Sequence, residues 1–135
     1  MLVVAPRRPG LFRGTLRHVE PTVLIVDDHA AFRSLARALL ESEGFAVVGE
    51  AEDGAAGLTA VEALRPAIVL LDIQLPDLDG FEIAERLAER DDAPAVVLVS
   101  TRAAAAYGSR LNSTPARGFI SKTSLSGAAV AALLA

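Results

Sequence analysis

Five short apolar runs alternate with stretches in which apolar residues recur at helical spacing. The runs are TVLIV (Thr22–Val26), FAVVGEA (Phe45–Ala51), AIVLL (Ala67–Leu71), AVVLVS (Ala95–Ser100) and GFIS (Gly118–Ser121). Near-continuous runs of this length are what strands buried on both faces look like. Between them, Phe32, Leu35, Ala36, Leu39 and Leu40 form one helical stripe, Leu58, Val61 and Leu64 a second, and Phe81, Ala84, Leu87 and Ala88 a third. Strand and helix alternating in this way predict an α/β fold, a doubly wound five-stranded parallel sheet with helices on both faces.

The punctuation agrees with the periodicity. Gly44 closes the first helix, Asp53 with Gly54 turns into the second, and Pro66 and Pro94 mark re-entry into strands. The segment TRAAAAYGSRLNSTPARG allows only a short, mobile fourth helix, because Gly108 interrupts the alanine run and Ser113, Thr114 and Pro115 prevent a long continuation. The last segment, SLSGAAVAALLA, offers Ser124 or Ser126 as an N-cap, with Leu125, Val130, Leu133 and Leu134 packing inward.

Length and composition narrow the function classes. The chain of 135 residues, 52% hydrophobic, is the size of one domain with a sizeable core. Residues 1–20 carry four arginines but no continuous apolar core, and Pro6, Pro9, Gly10 and Gly14 break them, so they read as a flexible N-terminal extension and not a signal peptide. From Pro21 onwards, nine basic residues face sixteen acidic ones, a net charge of −7 that argues against direct nucleic-acid or membrane binding. The absence of cysteine excludes disulfides and thiolate chemistry and suits a reducing cytoplasm.

In an open parallel sheet, ligands bind beyond the carboxyl ends of the strands, where the strand order switches direction. Asp27 and Asp28 follow the first strand, Asp72 the third and Lys122 the fifth, while Ser100 ends the fourth. Two adjacent carboxylates after an apolar run repel each other and resist desolvation, so a cation is expected among them. Three carboxylates at one mouth favour a hard divalent ion such as Mg²⁺. Lys122 is the one lysine among thirteen basic residues, a compact ammonium suited to a tight anionic mouth.

Together VLIVDDH, LLDIQLPDLDG, VVLVS and GFISK, in that order, resemble the receiver domain of bacterial two-component response regulators, over Thr22 to Ala135. The resemblance implies a stand-alone receiver, flavodoxin-like with strand order 2-1-3-4-5, comprising residues 21–135. It further implies that Asp72 is the phosphoacceptor for a sensor histidine kinase or phosphotransfer protein. Asp28, Asp72 and the backbone carbonyl of Gln74 would hold Mg²⁺, with Asp27 reaching it mainly through water. Ser100 would donate to the phosphoryl group, Lys122 would pair with Asp72 and then with the phosphoryl group, and Phe119 would take the aromatic switch position. The domain would catalyse its own phosphorylation and dephosphorylation and signal to an output protein through altered binding.

Three departures from the family pattern stand out. Thr123 replaces the usual proline after the lysine, and because a non-proline cis bond costs about 3–4 kcal/mol, a trans Lys122–Thr123 bond is expected. Phe119 replaces the common tyrosine and loses its hydroxyl, and Ser100 replaces threonine. Gln74 and Arg102 would reach over the phosphoryl group and set its lifetime. Asp77 and Asp79 read as solvated turn residues, and Glu82, Glu85 and Glu89 with Arg86 and Arg90 as the wet face of the third helix. His29 reads as an exposed residue at the start of the first helix, within touch of a docking kinase.

Two other classes compete. One is an unphosphorylated interaction module, or the receiver fragment of a larger DNA-binding regulator. The other is an aspartyl phosphatase of the haloacid-dehalogenase type, which wants a second aspartate two residues after the nucleophile, where this chain has Gln74. The last helix serves equally as a homodimer face or as packing against the sheet.

Overall fold

A computed structural model describes residues 20–135 of the chain. The extension expected over residues 1–20 thus lies, except for Glu20, outside the described residues. The strands are β1 (Thr22–Val26), β2 (Ala46–Ala51), β3 (Ile68–Asp72), β4 (Ala95–Ser100) and β5 (Gly118–Ser121). The helices are α1 (Ala30–Ser42), α2 (Gly54–Leu64), α3 (Gly80–Ala88), α4 (Arg110–Ser113) and α5 (Gly127–Leu134). The sheet is parallel throughout, in the order β2-β1-β3-β4-β5.

Each strand divides its side chains between two cores, as period-two alternation requires. Leu24, Val26, Val69, Leu71, Val96 and Leu98 face α2 and α3, meeting Val61, Phe81, Ile83 and Leu87. Val23, Ile25, Leu70, Val97, Val99 and Ile120 face the other way, onto Ala36 and Leu40 of α1 and Val130 of α5. Three stripe positions fall outside these cores: Leu35 is 61% and Leu64 44% exposed, and Ala88, the last residue of α3, is exposed. A helix advances about 100° per residue, so the outermost members of a wide stripe rotate off the buried face.

The caps explain where the helices start and stop. Asp53 accepts the Ala56 amide at 2.7 Å and Asp79 the Phe81 amide at 2.8 Å. Of the two candidate serines for α5, Ser126 is the cap, accepting the Ala129 amide at 3.0 Å. Gly44 leaves α1 with φ of 95°, a conformation that costs other residues steric strain. The Glu43 carboxylate accepts the Gly127 amide and so ties the end of α1 to the start of α5.

The fourth helical segment is as short as expected: a single 3₁₀ turn at Ala104–Ala106 and the four-residue α4, neither containing a buried residue. No cis peptide bond occurs among the described residues, so Lys122–Thr123 is trans, as its sequence predicts. No described helix is long and apolar enough to cross a membrane.

Candidate functional site

The chain leaves β1 for β2 on one side of the sheet and returns to β3 on the other, so the carboxyl ends of β1 and β3 lie side by side with Val26 paired to Leu71. The next residues along the two strands are Asp27 and Asp72. Both are buried, Asp27 completely and Asp72 to 3% exposure. Carboxyl oxygens of Asp27, Asp28 and Asp72 and a ring nitrogen of His29 all lie within 4.8 Å of one another.

Local hydrogen bonds hold this arrangement. Asp27 Oδ1 accepts the His29 amide at 2.8 Å, which turns the chain sharply into α1. The Arg33 guanidinium donates to the Asp27 carbonyl at 2.6 Å and to Glu50 at 3.0 Å, clamping that turn against β2. Asp72 Oδ1 accepts the Gln74 amide at 3.0 Å. On the far side of β3, Gly80 sits so close to the Asp72 carbonyl that a Cβ there would come within 2.6 Å of it.

Lys122 enters from β5, its side chain 8% exposed, and its ammonium lies 2.5 Å from Asp27 Oδ2 and 3.4 Å from Asp72 Oδ2. The ammonium thus bridges both buried acids: it pairs with Asp72, as the resemblance implies, and lies nearer still to Asp27. The Phe32 ring lies 4.6 Å from the same ammonium. Burial pushes the Asp72 carboxyl above the usual carboxylate range and the neighbouring Asp27 adds to this, while the Gln74 amide and Lys122 act in the opposite direction.

The donor set fits a hard divalent cation. It is rich in oxygen, it concentrates more negative charge than one ammonium balances, and buried Asp27 Oδ2 accepts no hydrogen bond of proper geometry. His29 is 64% exposed, as its sequence position predicts, and its Nδ1 lies 3.1 Å from Asp27 and 3.2 Å from Asp28.

The remaining candidate residues divide. Gln74 meets the site through its amide, and its exposed side chain shares an open cleft of about 510 Å³ with Arg102, Tyr107 and Arg110. Ser100 lies at the end of β4 and is fully buried, but its hydroxyl faces Tyr107, 2.6 Å away, and not the acids. Phe119 is half-buried against the same tyrosine, with ring centroids 6.0 Å apart. Tyr107 is the residue that sequence reasoning missed. The available signal was that it is the only tyrosine in a chain without tryptophan, seven residues beyond a strand-end serine.

Asp77 and Asp79 are more than solvated turn residues. Asp77 accepts the Gly54 and Ala55 amides at 2.7 and 2.9 Å, which cover the start of α2 and pull its carboxyl below the usual range. Asp79 caps α3 and pairs with Arg110 at 2.7 Å. Of the charges expected on the wet face of α3, Arg86 pairs with Glu82 at 2.6 Å, whereas Arg90 leaves that set to reach Glu62 of α2 at 2.9 Å.

A parallel sheet wound 2-1-3-4-5, with an acidic mouth and one lysine at its switch point, defines the class of receiver domains. The comparisons agree: residues 23–133 match the family described as response regulator receiver domain, and the chain belongs to it. Among curated relatives, a transcriptional regulator of Pseudomonas aeruginosa is 39% identical over 74% of the chain. The virulence-factor transcription regulator BvgA of Bordetella pertussis is 37% identical over the same share. The chain spans about half the length of these relatives, 48% of each.

Among solved structures, the receiver domain of the response regulator NarL from Mycobacterium tuberculosis is similar with a TM-score of 0.74 and 32% identity, covering 85% of this chain and 97% of that one. A chain of the CheX–CheY–BeF₃–Mg²⁺ complex from Borrelia burgdorferi is similar at 0.72 and 28%, covering 84% and 85%. The protein is thus a receiver domain of two-component signal transduction.

Proposed function

We propose that the chain takes a phosphoryl group from a phosphohistidine onto Asp72 and signals through the resulting change in its surface. An Asp72 carboxylate oxygen attacks phosphorus, the phosphorus–nitrogen bond of the donor breaks, and the imidazole nitrogen keeps the electron pair. An acyl phosphate results. Water attacking the same phosphorus later releases inorganic phosphate and restores the carboxylate. Asp27, Asp28, Asp72 and the Gln74 carbonyl are the groups that would hold Mg²⁺, which when bound supplies positive charge against the repulsion between carboxylate and phosphoryl oxygens.

The chain's own residues do the rest. Lys122 balances the buried acids before transfer and the phosphoryl oxygens after it, needing only a short movement of a flexible stem. The Gln74 amide fixes the rotation of the Asp72 carboxylate, which keeps its other oxygen toward Lys122. Ser100 supplies a hydroxyl to a phosphoryl oxygen once it turns from Tyr107.

The observation that carries the reading is the clustering of Asp27, Asp28 and Asp72 at the switch point, with the single lysine paired to Asp27 and Asp72. The Borrelia burgdorferi relative, solved with beryllium fluoride and magnesium, supports it by analogy. Incubation with acetyl phosphate and Mg²⁺ followed by intact mass tests it. One phosphate adduct, absent in Asp72→Asn, is expected; an unmodified wild-type chain would favour an interaction module instead. Because the curated relatives are about twice as long and are transcription regulators, a second reading is that this receiver controls an attached output region. The same adduct, together with a phosphorylation-dependent change in operator binding by the longer protein, is its expected signature.

A further inference from the structure

We infer that Tyr107 is a positioning residue for Ser100, holding its hydroxyl on the α4 side of the sheet end until phosphorylation draws it to the phosphoryl group. This rests on the phosphoacceptor reading of Asp72. Ser100 is fully buried, and its hydroxyl has two close partners: the Tyr107 hydroxyl at 2.6 Å and the Arg102 amide, which donates to it at 3.0 Å. Either hydroxyl can donate in the Ser100–Tyr107 bond, and in both cases the bond points the Ser100 oxygen at Tyr107. Rotating the serine side chain to present its hydroxyl to a phosphoryl group on Asp72 parts the two hydroxyls.

The tyrosine is not free to follow. Its ring meets Phe81 edge-on at 5.7 Å and Phe119 at 6.0 Å. The Arg110 guanidinium covers Phe81 at 4.2 Å while bound to Asp79. Neither Ala104–Ala106 nor α4 contributes a buried residue, so the Tyr107 hydroxyl and the Arg110–Asp79 pair are prominent among the fastenings of this segment. Phe119, placed at the switch position, has no hydroxyl. In this chain the hydroxyl that senses Ser100 comes from Tyr107, and its release loosens the α4 segment from the sheet end.

The test is a two-residue cycle with acetyl phosphate and Mg²⁺, read by intact mass. Tyr107→Phe keeps the ring packing and removes the restraint, so phosphorylation should be faster by about 2- to 10-fold, the equilibrium weight of one neutral hydrogen bond. In a Ser100→Ala background the same change should have no effect. An unchanged or slower rate in Tyr107→Phe, or an equal gain without Ser100, would overturn the inference.

Tyrosine emission gives an independent readout, since Tyr107 is the only tyrosine and there is no tryptophan. It should change in step with the adduct; constant emission through complete phosphorylation would also overturn the inference. Normal wild-type phosphorylation beside an unaltered Tyr107→Phe defeats this inference alone. Failure of the wild type to take phosphate at all defeats the phosphoacceptor reading, and this inference with it.

Discussion

Replacing Gly80 by alanine should destabilise the protein, against the sign that helix propensity gives. Gly80 is the first residue of α3 and does not have a positive φ, so its backbone permits alanine, which ordinarily gains about 0.5–1 kcal/mol over glycine in a helix. The obstacle is space. A Cβ at this position falls 2.6 Å from the Asp72 carbonyl oxygen and 2.6 Å from Ile73 Cα. Comfortable carbon contacts begin near 3.5 Å, so backbone must move by about 1 Å. Overpacking of this kind costs about 1–3 kcal/mol. Because the obstacle is backbone and not a flexible side chain, the upper part of that range applies, about 2–3 kcal/mol. Less the propensity gain, the net loss is about 1–2 kcal/mol, or a fall in Tm of about 3–10 °C for a domain of this size. Urea unfolding of Gly80→Ala should show a lower midpoint with an unchanged slope. Because the displaced atoms belong to the end of β3, phosphorylation of Asp72 should slow in parallel. A midpoint equal to or above wild type would refute the reasoning, showing that the loop after Asp72 yields without cost.

The acids themselves should trade stability for chemistry. Burial, with the neighbouring Asp27, holds the Asp72 carboxyl above its usual range in spite of Lys122, so the charged form is disfavoured in the fold and a neutral amide in Asp72→Asn should stabilise the protein in EDTA. Urea midpoints check this, and Mg²⁺ should raise the wild-type midpoint more than that of the variant. Asp77 has a carboxyl pulled down by two amides at the start of α2, so its contribution is present above the ordinary carboxylate range and is lost as pH falls through its lowered pKa. The stability gap between wild type and Asp77→Ala should therefore narrow in acid, as thermal melts at neutral and acid pH will report. Gln74 and Arg102 share the cleft beside Asp72, and alanine at either should alter the acyl-phosphate lifetime several-fold, measured by loss of adduct after removal of the donor.

The sheet and its order of elements were legible because both faces of a parallel sheet are buried, which leaves strands as apolar runs that only helices can separate. The acidic mouth was legible for a related reason: the topology puts residues after β1 and β3 at one edge whatever their side chains do. What the sequence hid are contacts made across the fold. Asp77 looks like a turn residue until α2 is seen to start against it, and Arg33 looks like a surface cation until its guanidinium meets the Asp27 carbonyl. That Lys122 bridges Asp27 as well as Asp72 depends on the path of its side chain, which strand-end position does not encode. Tyr107 lies in the weakest-patterned segment, where a short 3₁₀ turn leaves no periodicity to show which way a ring points.

The most direct measurement is chemical location of the phosphoryl group. The chain is phosphorylated with acetyl phosphate and Mg²⁺, reduced with borohydride, which converts an aspartyl phosphate to homoserine, and mapped by peptide mass. Homoserine at the position of Asp72 alone is the predicted result. Reduction at Asp27, Asp28 or Asp77, or at no aspartate despite a phosphate adduct, would contradict the assignment of Asp72 as the acceptor.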